Sequence, residues 1–103
     1  METINIMGTK YKFYVSDLNE EILAQNDGMC KLYDKEIWLR KVPYMGGDSD
    51  KARYERFNHV LRHELVHAVA QECGVSYGEN EELVDWIAHI IPIVNEAYEK
   101  LKL

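Results

Sequence analysis

The segment that decides the fold is residues 60–69, Val-Leu-Arg-His-Glu-Leu-Val-His-Ala-Val, within a longer stretch, 51–73, of helical periodicity. Apolar residues recur there at steps of three and four, as expected for the buried face of a helix. They are Phe57, Val60, Leu61, Leu65, Ala68 and Val69. Ser49 or Asp50 is a natural N-cap, and Gly74 is the residue expected just beyond the last turn. The sequence therefore predicts one long, capped helix.

Two histidines on this helix have the spacing of metal ligands. His63 and His67 are four apart, so their side chains project from one face with Cβ atoms about 5–6 Å apart. Two imidazole nitrogens can then reach one zinc ion at about 2.0–2.1 Å each. Glu64 lies about 100° around the helix from His63, which is close enough to act on a metal-bound water without binding the metal. This is the H-E-x-x-H arrangement of zinc metallohydrolases. The alternative is that both are ordinary helix histidines.

A catalytic zinc site needs a third protein ligand, and a second long helix offers candidates. That helix is predicted to begin near Asn80, and Pro92 predicts a kink or break inside it. Glu81 is the expected third ligand, and Glu82 is its main competitor. Asp85, one turn further on, could accept a hydrogen bond from the non-ligating nitrogen of either histidine. Because the helix dipole favours carboxylates in any first turn, only the nearby histidines give this cluster a metal-binding interpretation. The apolar face of this helix is predicted to comprise Leu83, Val84, Ile87, Ile90, Ile91 and Val94.

The pattern Asn80-Glu81-x-x-x-Asp85 is similar to the Asn-Glu-x-x-Ser-Asp segment of the thermolysin-like gluzincin metallopeptidases, with Val84 in place of the serine. The layout resembles more closely the minimal zincins of the ImmA/IrrE type, including small phage- and prophage-encoded members. In these, a glutamate-bearing helix follows the H-E-x-x-H helix after a short gap. The resemblance covers about residues 28–92 and implies a zinc metallopeptidase that acts on a protein or peptide substrate.

Two classes of function are open. In the first, the chain is a zinc-dependent metallopeptidase that hydrolyses peptide bonds, with Zn²⁺ as its cofactor. The residues assigned are His63, His67 and Glu81 as metal ligands, Glu64 as general base on a zinc-bound water, and Asp85 as hydrogen-bond partner of a ligating histidine. In the second, the chain is a catalytically silent zincin-fold binding module that recognises a protein partner. A closed structural zinc site is the weaker idea, because neither cysteine has motif spacing.

The first half of the chain predicts strands. Two hairpins are expected, the first around Gly8-Thr9 and the second around Asp34-Lys35, with a short helix beginning near Ser16 between them. The expected fold is α+β: a small, mostly antiparallel sheet packed on the H-E-x-x-H helix, followed by a second long helix that carries the third ligand. The strand containing Trp38 is expected at the sheet edge, where substrate backbone could pair with it, with Ile37 and Leu39 in the core.

Other candidate residues are less distinctive. His59 lies one turn before His63, and we expect it to be exposed rather than to line a cleft. Tyr44, Tyr54 and Tyr77 could each supply an electrophilic hydroxyl, and nothing in the sequence selects among them.

Composition limits the partners. The 103 residues fit a single domain, 1–103. With 12 basic and 18 acidic residues, the net charge is −6, so we expect neither nucleic acid nor an anionic membrane as a partner. No apolar run approaches the roughly 20 residues of a membrane span, and no secretory signal is expected. Cys30 and Cys73 are expected to be free, buried thiols of a cytoplasmic protein.

Overall fold

The computed structural model describes residues 2–16, 23, 26–43 and 49–102. Its strands are β1 (Glu2–Ile6), β2 (Thr9–Ser16), β3 (Gly28–Lys31) and β4 (Glu36–Arg40), and its helices are α1 (Asp50–Cys73) and α2 (Glu81–Leu101). A short 3-10 helix, Ser76–Glu79, connects the two helices. The predicted α+β class is confirmed. The predicted short helix after Ser16 falls on residues outside those described.

The four strands form one sheet in the order β1-β2-β4-β3. Both predicted hairpins are present, since β1–β2 and β3–β4 pair in antiparallel fashion. The hairpins are joined by a parallel pairing of β2 with β4, in which Phe13 lies opposite Ile37, so the sheet is mixed. The prediction that the Trp38 strand lies at the edge is wrong, because β2 occupies the second side of β4. The edge strand on that side of the sheet is β3.

The ends of α1 follow from two residues. Ser49 Oγ accepts a hydrogen bond from the backbone N–H of Ala52 at 3.0 Å, which satisfies one of the free donors of the first turn. Gly74 has φ 71°, and its N–H bonds to carbonyls of the last turn. Only glycine adopts this left-handed conformation without a steric penalty. The predicted N-cap and helix end are both confirmed.

The core lies between one face of the sheet and α1. Tyr11, Ile37 and Ala68 are fully buried and belong to one apolar cluster. On the other face of the sheet, Trp38 stacks on Tyr14 with ring centroids 4.2 Å apart. The alternation of strand side chains between the two faces is as predicted for β4.

Glu72 holds the last turn of α1 to the sheet. Its Oε1 accepts a hydrogen bond from the Thr9 hydroxyl at 2.6 Å, and its Oε2 accepts from Tyr11 Oη at 2.7 Å and from Lys35 Nζ at 2.9 Å. These three bonds, that of Thr9 first, lower the pKa of Glu72 to about 2. They orient α1, and therefore its histidines, relative to the strands.

α2 packs against α1, beginning where the Asn80 side chain accepts a hydrogen bond from Leu83 N–H at 3.0 Å. The break expected at Pro92 does not occur, and the helix is continuous through it. Proline has no N–H to donate to the carbonyl of Ala88 four residues earlier. Arg62 of α1 supplies the missing donor, since its Nε lies 2.9 Å from Ala88 O. The second helix therefore tolerates the proline because α1 satisfies the freed carbonyl.

Both cysteines are free, as predicted, but only Cys30 is even partly buried. Cys73 is exposed in the last turn of α1, where its Sγ lies 3.5 Å from Met7 Sδ. No helix in the described ranges combines the length and apolar character that crossing a bilayer requires.

Candidate metal centre

The histidines of α1 and the first turn of α2 meet at one point. Glu81 Oε1 lies 2.8 Å from His67 Nε2, and Glu81 Oε2 lies 2.9 Å from His63 Nε2. One potential ligand atom from each of the three residues lies within 4.8 Å of the others. Two imidazole nitrogens and one carboxylate form a ligand set that suits zinc and that leaves further coordination positions to solvent. The donor chemistry of the three predicted ligands therefore fits the metal.

Glu82, the competing candidate, is directed elsewhere. It lines a separate surface hollow together with Asn80, Leu83 and Trp86. Since successive residues of a helix point about 100° apart, only one of the two glutamates can face α1. The structure brings Glu81 to the histidines and leaves Glu82 away from them.

The location of Glu81 depends on how closely the 3-10 helix packs on α1. A Cβ atom at Gly78 would lie 2.9 Å from the Cβ of Ala70, which is too close for any side chain. The absence of a side chain at this position allows the connector to lie directly against α1, one turn beyond His67. α2 therefore begins next to His63 and His67.

Asp85 contacts the histidines from one turn further along α2. Its Oδ1 lies 3.2 Å from His63 Nδ1 and 2.7 Å from His59 Nε2. The hydrogen bond from His59, first, and then that from His63 lower the pKa of Asp85. A proton on His63 Nδ1 that is held by this carboxylate leaves Nε2 as the free lone pair on the Glu81 side.

The expectation that His59 is exposed is wrong. Only 19% of its side chain is exposed, because α2 brings Asp85 against it. The spacing of four residues between His59 and His63 indicated that the two side chains share a face of the helix. It could not indicate burial, because the Asp85 carboxylate that contacts His59 comes from a distant part of the chain. His59, His63 and Asp85 also form a second cluster of potential ligand atoms.

Glu64 is buried beside these residues, with 7% of its surface exposed. Burial, the largest cause, raises its pKa to about 7; the Glu81 carboxylate contributes in the same direction, while His63 opposes the shift. A carboxyl group with a pKa near neutrality can take up and release a proton under ordinary conditions. This is the property required of a general base.

Gly28, at the start of β3, is a site residue that sequence reasoning missed. A Cβ there would lie 2.6 Å from Cγ1 of Val60 and 3.1 Å from Cγ of Glu64. Any side chain would therefore displace Val60 or the Glu64 stem. The sequence offered only a glycine next to a turn, so its contact with α1 could not be anticipated.

A cleft of about 400 Å³ lies between β3 and the helices, and it is lined by Met29, Cys30, Glu64, His67 and Glu81 among others. A smaller recess of about 250 Å³ adjoins it around Arg56, His59 and Asp85. Burial, followed by the negative charge of Glu64, raises the pKa of Cys30 to about 12. Cys30 is therefore a neutral thiol, which is poorly suited to bind a metal or act as a nucleophile.

Of the candidate tyrosines, the two that lie within the described residues, Tyr54 and Tyr77, do not line this cleft. Tyr77 lines an apolar cavity of about 460 Å³ between α1 and α2 that contains none of the proposed ligands. Tyr54 is exposed near the start of α1, and Tyr44 lies outside the described residues.

Comparisons of the chain with protein-family models, with curated proteins and with solved structures give no match. The interpretation of the site therefore depends on its residues and geometry.

Proposed function

We propose that the protein is a zinc-dependent metallopeptidase of the minimal zincin type. The observation that carries the proposal is the convergence of His63, His67 and Glu81 from two helices, with their ligand atoms within 4.8 Å of one another. The buried Glu64 carboxyl lies next to them. A closed structural site would place a fourth protein ligand here, and none of the described residues adds one to this group.

In this mechanism each side chain of the cleft has a separate role. When bound by His63, His67 and Glu81, zinc would acidify a water molecule and polarise the scissile carbonyl. Glu64 removes a proton from the attacking water and delivers it to the leaving amine. Asp85 holds the His63 ring so that Nε2 keeps its lone pair.

The substrate in this proposal is a peptide in extended conformation. β3 ends the sheet next to the cleft, and its residues Met29 and Cys30 line it. The edge of a sheet offers unpaired backbone groups that an added strand can use. A substrate paired with β3 would pass its backbone in front of Glu64. We place the activity in the cytoplasm, because both cysteines are free.

The test uses zinc-loaded protein and a peptide library analysed by mass spectrometry. Wild type should produce new peptide termini, and Glu64→Gln should bind zinc equally well while its rate falls by about 10²–10⁴-fold. Glu82→Gln is the matched control and should cleave like wild type. Equal turnover by Glu64→Gln would refute the base assignment. Zinc-loaded wild type that cleaves nothing but captures a stoichiometric protein partner would instead identify a silent binding module.

A further inference from the structure

α2 has two different faces. The face against α1 carries the buried Val84 and Ala88, and Glu81 and Asp85 point toward the histidines from the same side. An apolar row with alternating steps of four and three lies about 120° around the helix from Val84 and Ala88, at 100° per residue. It comprises Leu83, Ile87, Ile90, Val94, Ala97 and Leu101. We call this row the α2 seam. Its spacing is that of the a and d positions of a coiled coil.

The C-terminal half of the α2 seam is open to solvent, whereas Leu83, Ile87 and Ile90 are partly buried and Ile87 also lines the cavity between α1 and α2. Val94 is 56% exposed and Leu101 is 78% exposed. The neighbouring Trp86, Ile93 and Tyr98 are 58%, 58% and 62% exposed. Every described residue from position 92 to position 102 is exposed. The C-terminal turns of α2 therefore extend beyond α1 with their apolar side unpartnered within the described part of the chain.

We propose that the α2 seam pairs with the α2 seam of a second copy of this chain, with the two helices antiparallel. The seam is symmetric about residue 92, so one antiparallel register places every seam residue opposite another. In that register Leu83 faces Leu101, Ile87 faces Ala97 and Ile90 faces Val94 of the second copy. The register pairs a large residue with a small one at Ile87 and Ala97, as interdigitated packing requires.

Charge also favours the antiparallel direction. The first turns of α2 are acidic, with Glu81, Glu82 and Asp85, whereas its last turns and the C-cap together contain two lysines and two glutamates. Parallel helices would bring two acidic ends together, whereas antiparallel helices place each acidic end beside a neutral one and oppose the helix dipoles. The same register sets Trp86 beside Lys100 of the second copy, where the lysine can lie over the indole ring.

Five large side chains on and beside the α2 seam are 56–78% exposed. Two of them, Trp86 and Tyr98, are aromatic, and a buried aromatic side chain covers about 150–250 Å². Their exposed fractions offer roughly 200–300 Å² per copy, and Ile93, Val94 and Leu101 add aliphatic surface. We therefore expect a small interface, near or below the roughly 1,200 Å² at which specific interfaces begin, and a dimer that forms at high concentration.

This pairing does not depend on the proposed zinc chemistry. Glu81 and Asp85 leave α2 on the side away from the seam, so both clefts of a dimer remain open. Substitutions on the seam beyond position 92 should therefore alter the oligomeric state without altering zinc binding.

The first experiment measures molar mass by light scattering and sedimentation over a micromolar to millimolar concentration series. Wild type should be dimeric at high concentration, and Val94→Glu should be monomeric. Asn95→Glu introduces the same side chain one position away, off the seam, and should remain dimeric. Because residue 94 is already half exposed, Val94→Glu should fold, which circular dichroism checks. A monomeric wild type, or a Val94→Glu protein that dimerises like Asn95→Glu, would overturn the proposal.

The second experiment tests the direction with one introduced cysteine per variant in a Cys73→Ser background, which keeps only the partly buried native Cys30. Mixing Leu83→Cys with Leu101→Cys should give a disulfide-linked heterodimer on mild oxidation, because these positions face each other only in the antiparallel register. Leu101→Cys alone should not cross-link, since its two copies lie at opposite ends of the dimer. Cross-linking of Leu101→Cys to itself, without the mixed product, would establish parallel helices and contradict the proposed register.

Discussion

Because Gly28 has no side chain, β3 can lie directly against Val60 and against Glu64, the candidate general base. Replacement by alanine places a Cβ 2.6 Å from Cγ1 of Val60, and β3 and α1 must then separate. We expect Gly28→Ala to destabilise the protein by about 1–3 kcal/mol, as overpacking of a core commonly does. Urea unfolding followed by circular dichroism measures this change.

A second substitution distinguishes this clash from a general effect of alanine at position 28. Val60→Ala removes the Cγ1 atom that the new Cβ would meet. The double variant should therefore be less destabilised than the sum of the two single variants. Simple additivity would show that the close approach of β3 to α1 is not the cause.

At the residue scale, the sequence predicted the parts of the candidate site that depend only on spacing along one helix. His63 and His67 share a face because they are one helical turn apart, and this needs no knowledge of the fold. The partial burial of His59 depends on Asp85, 26 positions further along the chain, and the contact of Gly28 with Glu64 depends on β3. Such contacts cannot be inferred from periodicity, because they arise only when distant elements pack together.

At the scale of elements, the contact between α1 and α2 makes Pro92 tolerable. Arg62 Nε donates to the Ala88 carbonyl that proline leaves without a partner. Arg62→Met keeps much of the side-chain length but removes the donor, so the carbonyl loses its hydrogen bond. We expect a loss of about 1–3 kcal/mol in the free energy of unfolding, measured by urea titration.

The matching variant restores the helical donor. In a Pro92→Ala background, the N–H at position 92 can bond to Ala88 O, so Arg62→Met should cost about 1 kcal/mol less than in the wild-type background. An equal cost in both backgrounds would mean that Arg62 stabilises the protein through its packing alone.

The elements themselves were largely predictable, since caps, apolar periodicity and turn residues act locally. Ser49 and Gly74 bound α1, and the turns at Gly8 and Lys35 sit inside the two hairpins. The parallel pairing of β2 with β4 was not predictable. It joins strands that are separated by residues 17–35, and no local pattern encodes which edges of two hairpins will meet.

For the whole molecule, Glu72 connects α1 to β2 and to the turn between β3 and β4, and its carboxylate makes the stability depend on pH. Its pKa is about 2 in the folded protein, below its ordinary value of 4.5. The contribution of Glu72 to stability is therefore fully present above about pH 4.5 and declines as the pH falls toward 2. Glu72→Gln should be less stable than wild type at pH 7, and the difference should shrink as the pH falls.

Thermal unfolding of both proteins between pH 7 and pH 2 measures this convergence. Glu55→Gln is a suitable control. Glu55 is exposed, and its ion pair with Lys51, at 4.0 Å, is of the solvent-exposed kind that contributes little to stability. A difference between wild type and Glu72→Gln that stays constant across this range would contradict the role assigned to the carboxylate.

We propose that His63, His67 and Glu81 together bind one zinc ion. The most direct test is the zinc dissociation constant, measured by chelator competition, for wild type, Glu81→Gln and Glu82→Gln. Wild type and Glu82→Gln should bind one zinc per chain with equal affinity, and Glu81→Gln should bind at least about 10–100-fold more weakly. If the wild-type protein does not bind zinc, or if Glu81→Gln binds zinc as tightly as wild type, the assignment of these three residues as zinc ligands is contradicted.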